Sequence, residues 1–253
     1  MAKVSLNSIT TGYSVNPPRL LVYGFEGIGK STFAAGFPRP IFIPPEDGLD
    51  NIYCARFPYM LGYEGVIEAL DTLQTQKHEY QTVVIDTLDA LERVIWKKVC
   101  QKLNVQNIED AGYGKGYTLA LTYWQQVIDR LTTLRLNRKM IVVLTAHATV
   151  ETFKEPGMTE VTRIAPRLNK KANAIVCENV DAILHATRRG GSAKGKDGGA
   201  RILKLEPSQT LAAKCRYNTL SSELPMDATE VLNAIYEHQR QLMNPQPQEI
   251  RPQ

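Results

Sequence analysis

GFEGIGKS, Gly24 to Ser31, fits the pattern G-x-x-x-x-G-K-[ST] in full, and Thr32 follows it. The apolar run Leu20-Leu21-Val22-Tyr23 enters it and reads as a buried strand, while STFAAGF opens a helix behind it. In that setting the glycines let backbone N–H groups fold around phosphate oxygens, and the helix N-terminus adds partial positive charge. The nucleotide-binding segment is therefore Gly24, Phe25, Glu26, Gly27, Ile28, Gly29, Lys30, Ser31 and Thr32. Lys30 would reach the β- and γ-phosphates, and the Ser31 hydroxyl would ligate Mg²⁺. A nucleoside triphosphate is the ligand this segment predicts.

Outward from this loop the pattern alternates. A second strand is predicted at Pro40 to Ile43, a helix over 64–76, and a β-branched strand YQTVVID over 80–86. LDALERVIWKKVCQKL then places Leu88, Leu91, Ile95 and Val99 at helical spacing, and 117–136 does the same with Trp124, Val127, Ile128, Leu131 and Leu134. KMIVVLTA (139–146) and VDAILHA (180–186) complete the strands. Strands alternating with helices imply βαβ units in an α/β fold, a mostly parallel sheet flanked by helices. Past Ser192, ARILKLEP and TLAAKCRY flank a Pro-Ser-Gln turn and suggest a C-terminal β-hairpin extension. Asp227 with Glu230 marks a last helix start. The expected organisation is an N-terminal arm (1–18), one nucleotide-binding core (19–243) and a disordered tail (244–253).

The chain has 253 residues, of which 43% are hydrophobic, enough for a substantial core. No apolar run reaches the roughly 18 residues of a membrane span, and MAKVSLNSITTGYSVNPP lacks the apolar stretch of a signal peptide. The four cysteines are scattered without C-x-x-C spacing, which points away from a zinc site or disulfide framework and toward a reducing cytoplasm. Net charge is only +4, yet Lys154 to Arg201 carries ten Lys/Arg against five Asp/Glu. A solvated face would carry such charges too.

Two carboxylates fall beside the loop by position alone. Asp86 ends the strand TVVID, where ligands gather at the carboxyl ends of parallel strands, and would hold the Mg²⁺ shell. In IFIPPEDGLD, Ile41 to Asp50, Glu46 follows the second strand, past two prolines that stiffen its approach. An acid there could orient and deprotonate an attacking water. Asp47 and Asp50 stand close by and compete with it.

IPPEDGLD resembles the segment of RecA-type recombinases that carries the catalytic glutamate. GFEGIGKST, PPEDGLDNI, TVVIDTLDAL, IVVLTAHATVETF and AAKCRYNT occur in the order seen in phage RecA-like single-strand annealing ATPases, and the resemblance covers most of the chain. It implies a RecA-like P-loop core, ATP and Mg²⁺, and a homo-oligomer, filament or ring. It also implies single-stranded DNA as ligand in phage recombination, with a phage single-strand-binding protein as a candidate partner. His147, in LTAH, matches the family's γ-phosphate sensor. The segment after it, about Thr149 to Lys171 with Lys154, Arg163, Arg167, Lys170 and Lys171, matches a DNA-binding loop. GYGKGY (112–117) matches a second one, with Tyr113 and Tyr117 to stack on bases and Lys115 for a phosphate; RRGGSAKGKDGGAR (188–201) is a third basic candidate. Lys214 and Arg216 match a basic pair that reaches a neighbour's γ-phosphate. Tyr217-Asn218-Thr219 departs from the glycine that often follows this pair. A helicase-type or loader motor, a small-molecule P-loop kinase and a nucleotide switch are the alternative functions.

Overall fold

The structure, a computed structural model, describes residues 5–60, 62–153, 160–190, 199–218 and 220–244. Lys154, most of the 188–201 segment and the tail beyond Asn244 lie outside the described residues. The elements run β1 (Arg19–Gly24), α1 (Lys30–Ala35), β2 (Pro40–Ile43), β3 (Ala55–Arg56), α2 (Tyr63–Thr75), β4 (Thr82–Ile85) and α3 (Leu88–Leu103). There follow α4 (Lys115–Asn137), β5 (Ile141–Phe153), β6 (Val161–Pro166), α5 (Lys170–Asn179), β7 (Ala182–Arg188), β8 (Arg201–Lys204), β9 (Lys214–Cys215), β10 (Glu223–Pro225) and α6 (Ala228–Met243).

The sheet order is β10-β8-β7-β1-β5-β4-β2-β3. Strands β7, β1, β5, β4, β2 and β3 are parallel, and the pairs of β8 with β7 and β10 are antiparallel. This is the expected α/β architecture, a mostly parallel mixed sheet with helices on both faces. Alternation along β1 shows how it is built: Leu21 and Tyr23 pack with α2 to α5, while Leu20 and Val22 pack with α1 and α6. All four are fully buried, which is why the segment reads as a continuous apolar run. The helical faces predicted from spacing are the buried ones, Val66, Leu70 and Leu73 in α2, Leu88, Leu91, Ile95 and Val99 in α3, and Trp124 to Leu134 in α4.

Local signals set several boundaries. Thr87 caps α3 by accepting from the Ala90 N–H, and Asn104 ends it in the left-handed conformation. Asp227 accepts from the N–H groups of Thr229 and Glu230 at the start of α6. Among the described residues no helix is long and apolar enough to cross a membrane.

Two expectations need correction. The segment after His147 is not a loop: β5 continues to Phe153 and pairs antiparallel with β6, and Lys170 already opens α5. ARILKLEP and TLAAKCRY do not pair with each other. Instead β8 pairs with the carboxyl end of β7 and with β10, while β9 pairs with the amino end of β7. The extension is thus antiparallel, but its hairpin partner for β8 is β7. Strand β3 and helix α5 were absent from the sequence pattern, being only two and ten residues long.

Candidate functional site

The carboxyl ends of β1, β2, β4 and the body of β5 meet at one edge of the sheet. Register places Gly24 opposite His147, Ile43 opposite Ile85 and Ile85 opposite Leu144. The segments leaving those strands therefore converge on a cavity of about 410 Å³. Gly27, Gly29, Lys30, Ser31 and Thr32 line it with Glu46, Asp86 and His147. Gly27 (φ 75°) and Gly29 (φ 101°) occupy the left-handed region, the conformational reason for glycine at both positions.

Lys30 is buried and its Nζ donates to the carbonyls of Gly24 and Phe25, at 3.0 and 3.3 Å. Burial pulls its ammonium below the ordinary value, and the charges of Asp86 and Asp89 push back. Asp86 is buried and accepts the Thr145 hydroxyl from the neighbouring strand. Ser31 and Asp86 line the same cavity and offer the hard oxygen donors that Mg²⁺ favours, so the residues fit a nucleotide with its cation.

Glu46 lies where the sequence places it, but both its oxygens are engaged. The Thr87 hydroxyl donates to Oε1 at 2.7 Å and Arg93 Nη2 to Oε2 at 2.9 Å. Neither partner figures among the residues predicted from sequence.

Asp89 organises the other side. It is almost fully buried in the first turn of α3 and accepts the His147 backbone N–H at 3.0 Å. His147 Nδ1 stands 2.9 Å from its Oδ2, and Arg167 Nη2 donates to the same oxygen at 2.7 Å. Burial alone would raise this carboxyl, but hydrogen bonds from His147 and Arg167 outweigh it and hold the group well below the carboxylate range. With its Nδ1–H given to Asp89, a neutral His147 presents the Nε2 lone pair outward. Donation to a phosphate from Nε2 would then need a ring protonated at both nitrogens. Glu46, Asp89 and His147 are spaced closely enough to hold a metal ion, but Arg93 and Arg167 already neutralise the carboxylates.

Arg167, expected among the DNA contacts, belongs to this network: its Nη1 is also 3.8 Å from Glu26 of the phosphate loop. Arg163 lies on β6 opposite Glu151, and Lys170 and Lys171 are exposed on the first turn of α5. Tyr113 is fully exposed in a left-handed turn before α4, beside exposed Lys115. Tyr117 is partly packed instead, edge-on against Trp96 at 5.5 Å, with its hydroxyl 3.2 Å from Glu109.

Lys214 and Arg216 are outside the cavity. Lys214 Nζ donates to the carbonyls of Cys177 and Val180, at 2.6 and 2.8 Å, closing the C-terminal end of α5. Arg216 pairs with Asp181 at 3.1 Å and donates to the Glu178 carbonyl. Within one chain both are held by these contacts, Arg216 with half of its side chain still exposed, and a reach to a neighbour's γ-phosphate concerns a second copy of the chain.

Behind the site Glu92, one turn along α3 from Asp89, accepts the Asn169 N–H with both oxygens, at 3.0 and 3.1 Å. Burial pushes its carboxyl up to about 7, more than the Asn169 bond offsets. The folded chain thus holds this proton more tightly than the unfolded one. The stability it contributes is present below the ordinary value of 4.5 and is lost as pH rises to about 7. Urea denaturation of wild type and Glu92→Gln at about pH 5 and about pH 7.5 should show wild type losing more stability across that interval. Equal losses in both proteins would remove Glu92 as the titrating group.

Residues 16–217 match the model of a family described as an AAA domain. The SPbeta prophage-derived uncharacterized protein YorG of Bacillus subtilis (strain 168) is 24% identical over 221 residues, 84% of this chain. The match covers 64% of that relative's length. Among solved structures, the RadB recombinase aligns over 75% of this chain and 80% of its own, with 10% identity and a TM-score of 0.45.

Proposed function

The chain belongs to the AAA-domain family, and from that premise we propose that it is an ATPase that binds single-stranded DNA, coupling that binding to hydrolysis. One observation carries the coupling. Arg167, at the base of the β5–β6 hairpin, and His147, at the phosphate cavity, hold the same buried carboxylate of Asp89. Whatever displaces the hairpin must therefore move a group that lines the nucleotide site.

In this account Lys30 and the phosphate-loop amides bind the triphosphate, while Ser31 and Asp86 hold Mg²⁺, which supplies charge neutralisation when bound. Glu46 orients the attacking water and takes its proton. To do so it must leave Arg93 or share it, so the Glu46–Arg93 pair describes a resting arrangement. Single-stranded DNA is assigned to the hairpin with Arg163, to Lys170 and Lys171 on the first turn of α5, and to Tyr113 and Lys115 at the entry of α4. Lys115, Lys170 and Lys171 are exposed cations and Tyr113 an exposed aromatic, which suit a phosphate backbone with stackable bases. Tyr117 contributes support for Trp96 rather than a stacking face. Assembly into a homo-oligomer and a role in phage recombination complete the proposal. Leu6, Ile9 and Tyr13, exposed in the N-terminal segment, support the former, and the prophage origin of the relative supports the latter.

Linkage requires that each ligand alter affinity for the other by the same factor. A fluorescent oligonucleotide titrated with protein should bind at least about fivefold more tightly with a non-hydrolysable ATP analogue than without nucleotide. Equal affinity in both conditions would remove the coupling, and no binding in either would remove DNA.

A further inference from the structure

We propose that Arg201 is a phosphate-binding residue of its own chain's nucleotide site, gripping the α- and β-phosphates from the side opposite Glu46. The inference rests on the nucleotide assignment above and adds to it a residue that no motif contains. Register is what delivers it. Strand β8 runs antiparallel to β7 and pairs Arg201 with Arg188, the last residue of β7. That puts the first residue of β8 at the same sheet edge as Gly24.

The guanidinium lies over the phosphate loop. A Cβ added at Gly29 would stand 2.7 Å from Arg201 Nη1 and 3.4 Å from its Cζ. The positive φ is what requires glycine at position 29, and the contact shows how closely the guanidinium approaches the loop. Arg201 lines the same cavity as Lys30, Ser31 and Thr32. Arg93, Arg167 and Arg216 each reach a carboxylate. Among the described residues Arg201 has no such partner. Among those residues it is a cation without a carboxylate, held against a loop whose backbone is shaped for anions.

Sheet order assigns its side. Along β8-β7-β1-β5-β4-β2, Glu46 arrives from β2 and His147 from β5, both on one flank of β1. Arg201 arrives from the other flank. The attacking water belongs with Glu46, so Arg201 faces the part of the nucleotide that leaves as diphosphate. Charge builds there as the terminal phosphoryl departs, and a cation present throughout binds product as well as substrate.

The test is binding of fluorescent ATP and ADP analogues, with Mg²⁺ and without DNA, to wild type, Arg201→Ala, Arg201→Lys and Lys30→Ala. Arg201→Ala should weaken both nucleotides about tenfold or more, and Arg201→Lys should restore part of the loss, since lysine keeps the charge but not the fork. Its thermal melt should match wild type, because no described residue depends on that guanidinium. Wild-type affinity in Arg201→Ala would overturn the proposal while Lys30→Ala still abolished binding. A loss confined to ATP would overturn it too, moving the residue to the γ-phosphate. If wild type bound neither nucleotide, the nucleotide assignment itself would fall.

Discussion

Glu46→Gln should bind ATP with near wild-type affinity and hydrolyse it about 10²–10⁴-fold more slowly, the range lost when a positioned general base is removed. The amide keeps the size of the side chain; its oxygen can still accept from Arg93 while its NH2 donates to the Thr87 hydroxyl, so the cavity wall stays in place. What it cannot do is take a proton. The competing carboxylates are separable by the same measurement. Asp47 and Asp50 are exposed, and Asp50 is committed to Arg56 at 3.3 Å, so Asp50→Asn should leave turnover close to normal. Near-normal turnover in Glu46→Gln would return the role to one of these neighbours.

The second large effect is on stability, at Asp181. Its buried carboxylate accepts from Arg19 at 3.0 Å, Arg216 at 3.1 Å and Arg135 at 3.4 Å, and from the Arg19 backbone N–H at 3.0 Å. It ties the starts of β1 and β7 to α4 and to the segment after β9. Burial would raise this carboxyl, but the surrounding guanidiniums prevail and lower it. The sign follows: its contribution is present above the ordinary carboxylate range and fades as pH falls through the lowered value. Arg19 and Arg135 are themselves mostly buried, with 15% of each side chain exposed, so removing the acid strands two cations. Asp181→Ala should cost about 3–5 kcal/mol in urea denaturation near neutral pH. A cost under about 1 kcal/mol would mean that water or other partners satisfy these arginines.

The phosphate loop was legible because its chemistry is a backbone requirement. Only glycine takes the φ of Gly27 and Gly29 without strain, and a strand and a helix must flank the loop. Helix α3 was legible to the residue because Thr87 caps it and its apolar spacing is uninterrupted. Asp86 and Glu46 followed from strand order, since carboxyl ends of parallel strands share an edge. What escaped was set by contacts distant in sequence. Asp89 sits in a first helical turn, where an acid ordinarily just complements the helix dipole. Its burial depends on His147 and Arg167, 58 and 78 residues further on. The β5–β6 hairpin left only a weak signal, β-branched residues in ATVETF and VTRIAP without clean alternation, and the basic residues among them suit a solvated loop as well. Lys214 looked free because the carbonyls it closes belong to a helix absent from the sequence pattern. Arg201 read as the end of a basic candidate segment, because its place over Gly29 exists only once β8 is registered on β7.

The most direct test of the account is steady-state ATP hydrolysis by the purified chain, with Mg²⁺, with and without single-stranded DNA. The hairpin that ends in Arg167 shares Asp89 with His147, so DNA on the hairpin should tighten ATP binding and raise turnover at ATP concentrations well below saturation by at least about fivefold. Turnover indifferent to saturating DNA under those conditions would contradict the coupling and reduce the hairpin's cations to an ordinary charged surface.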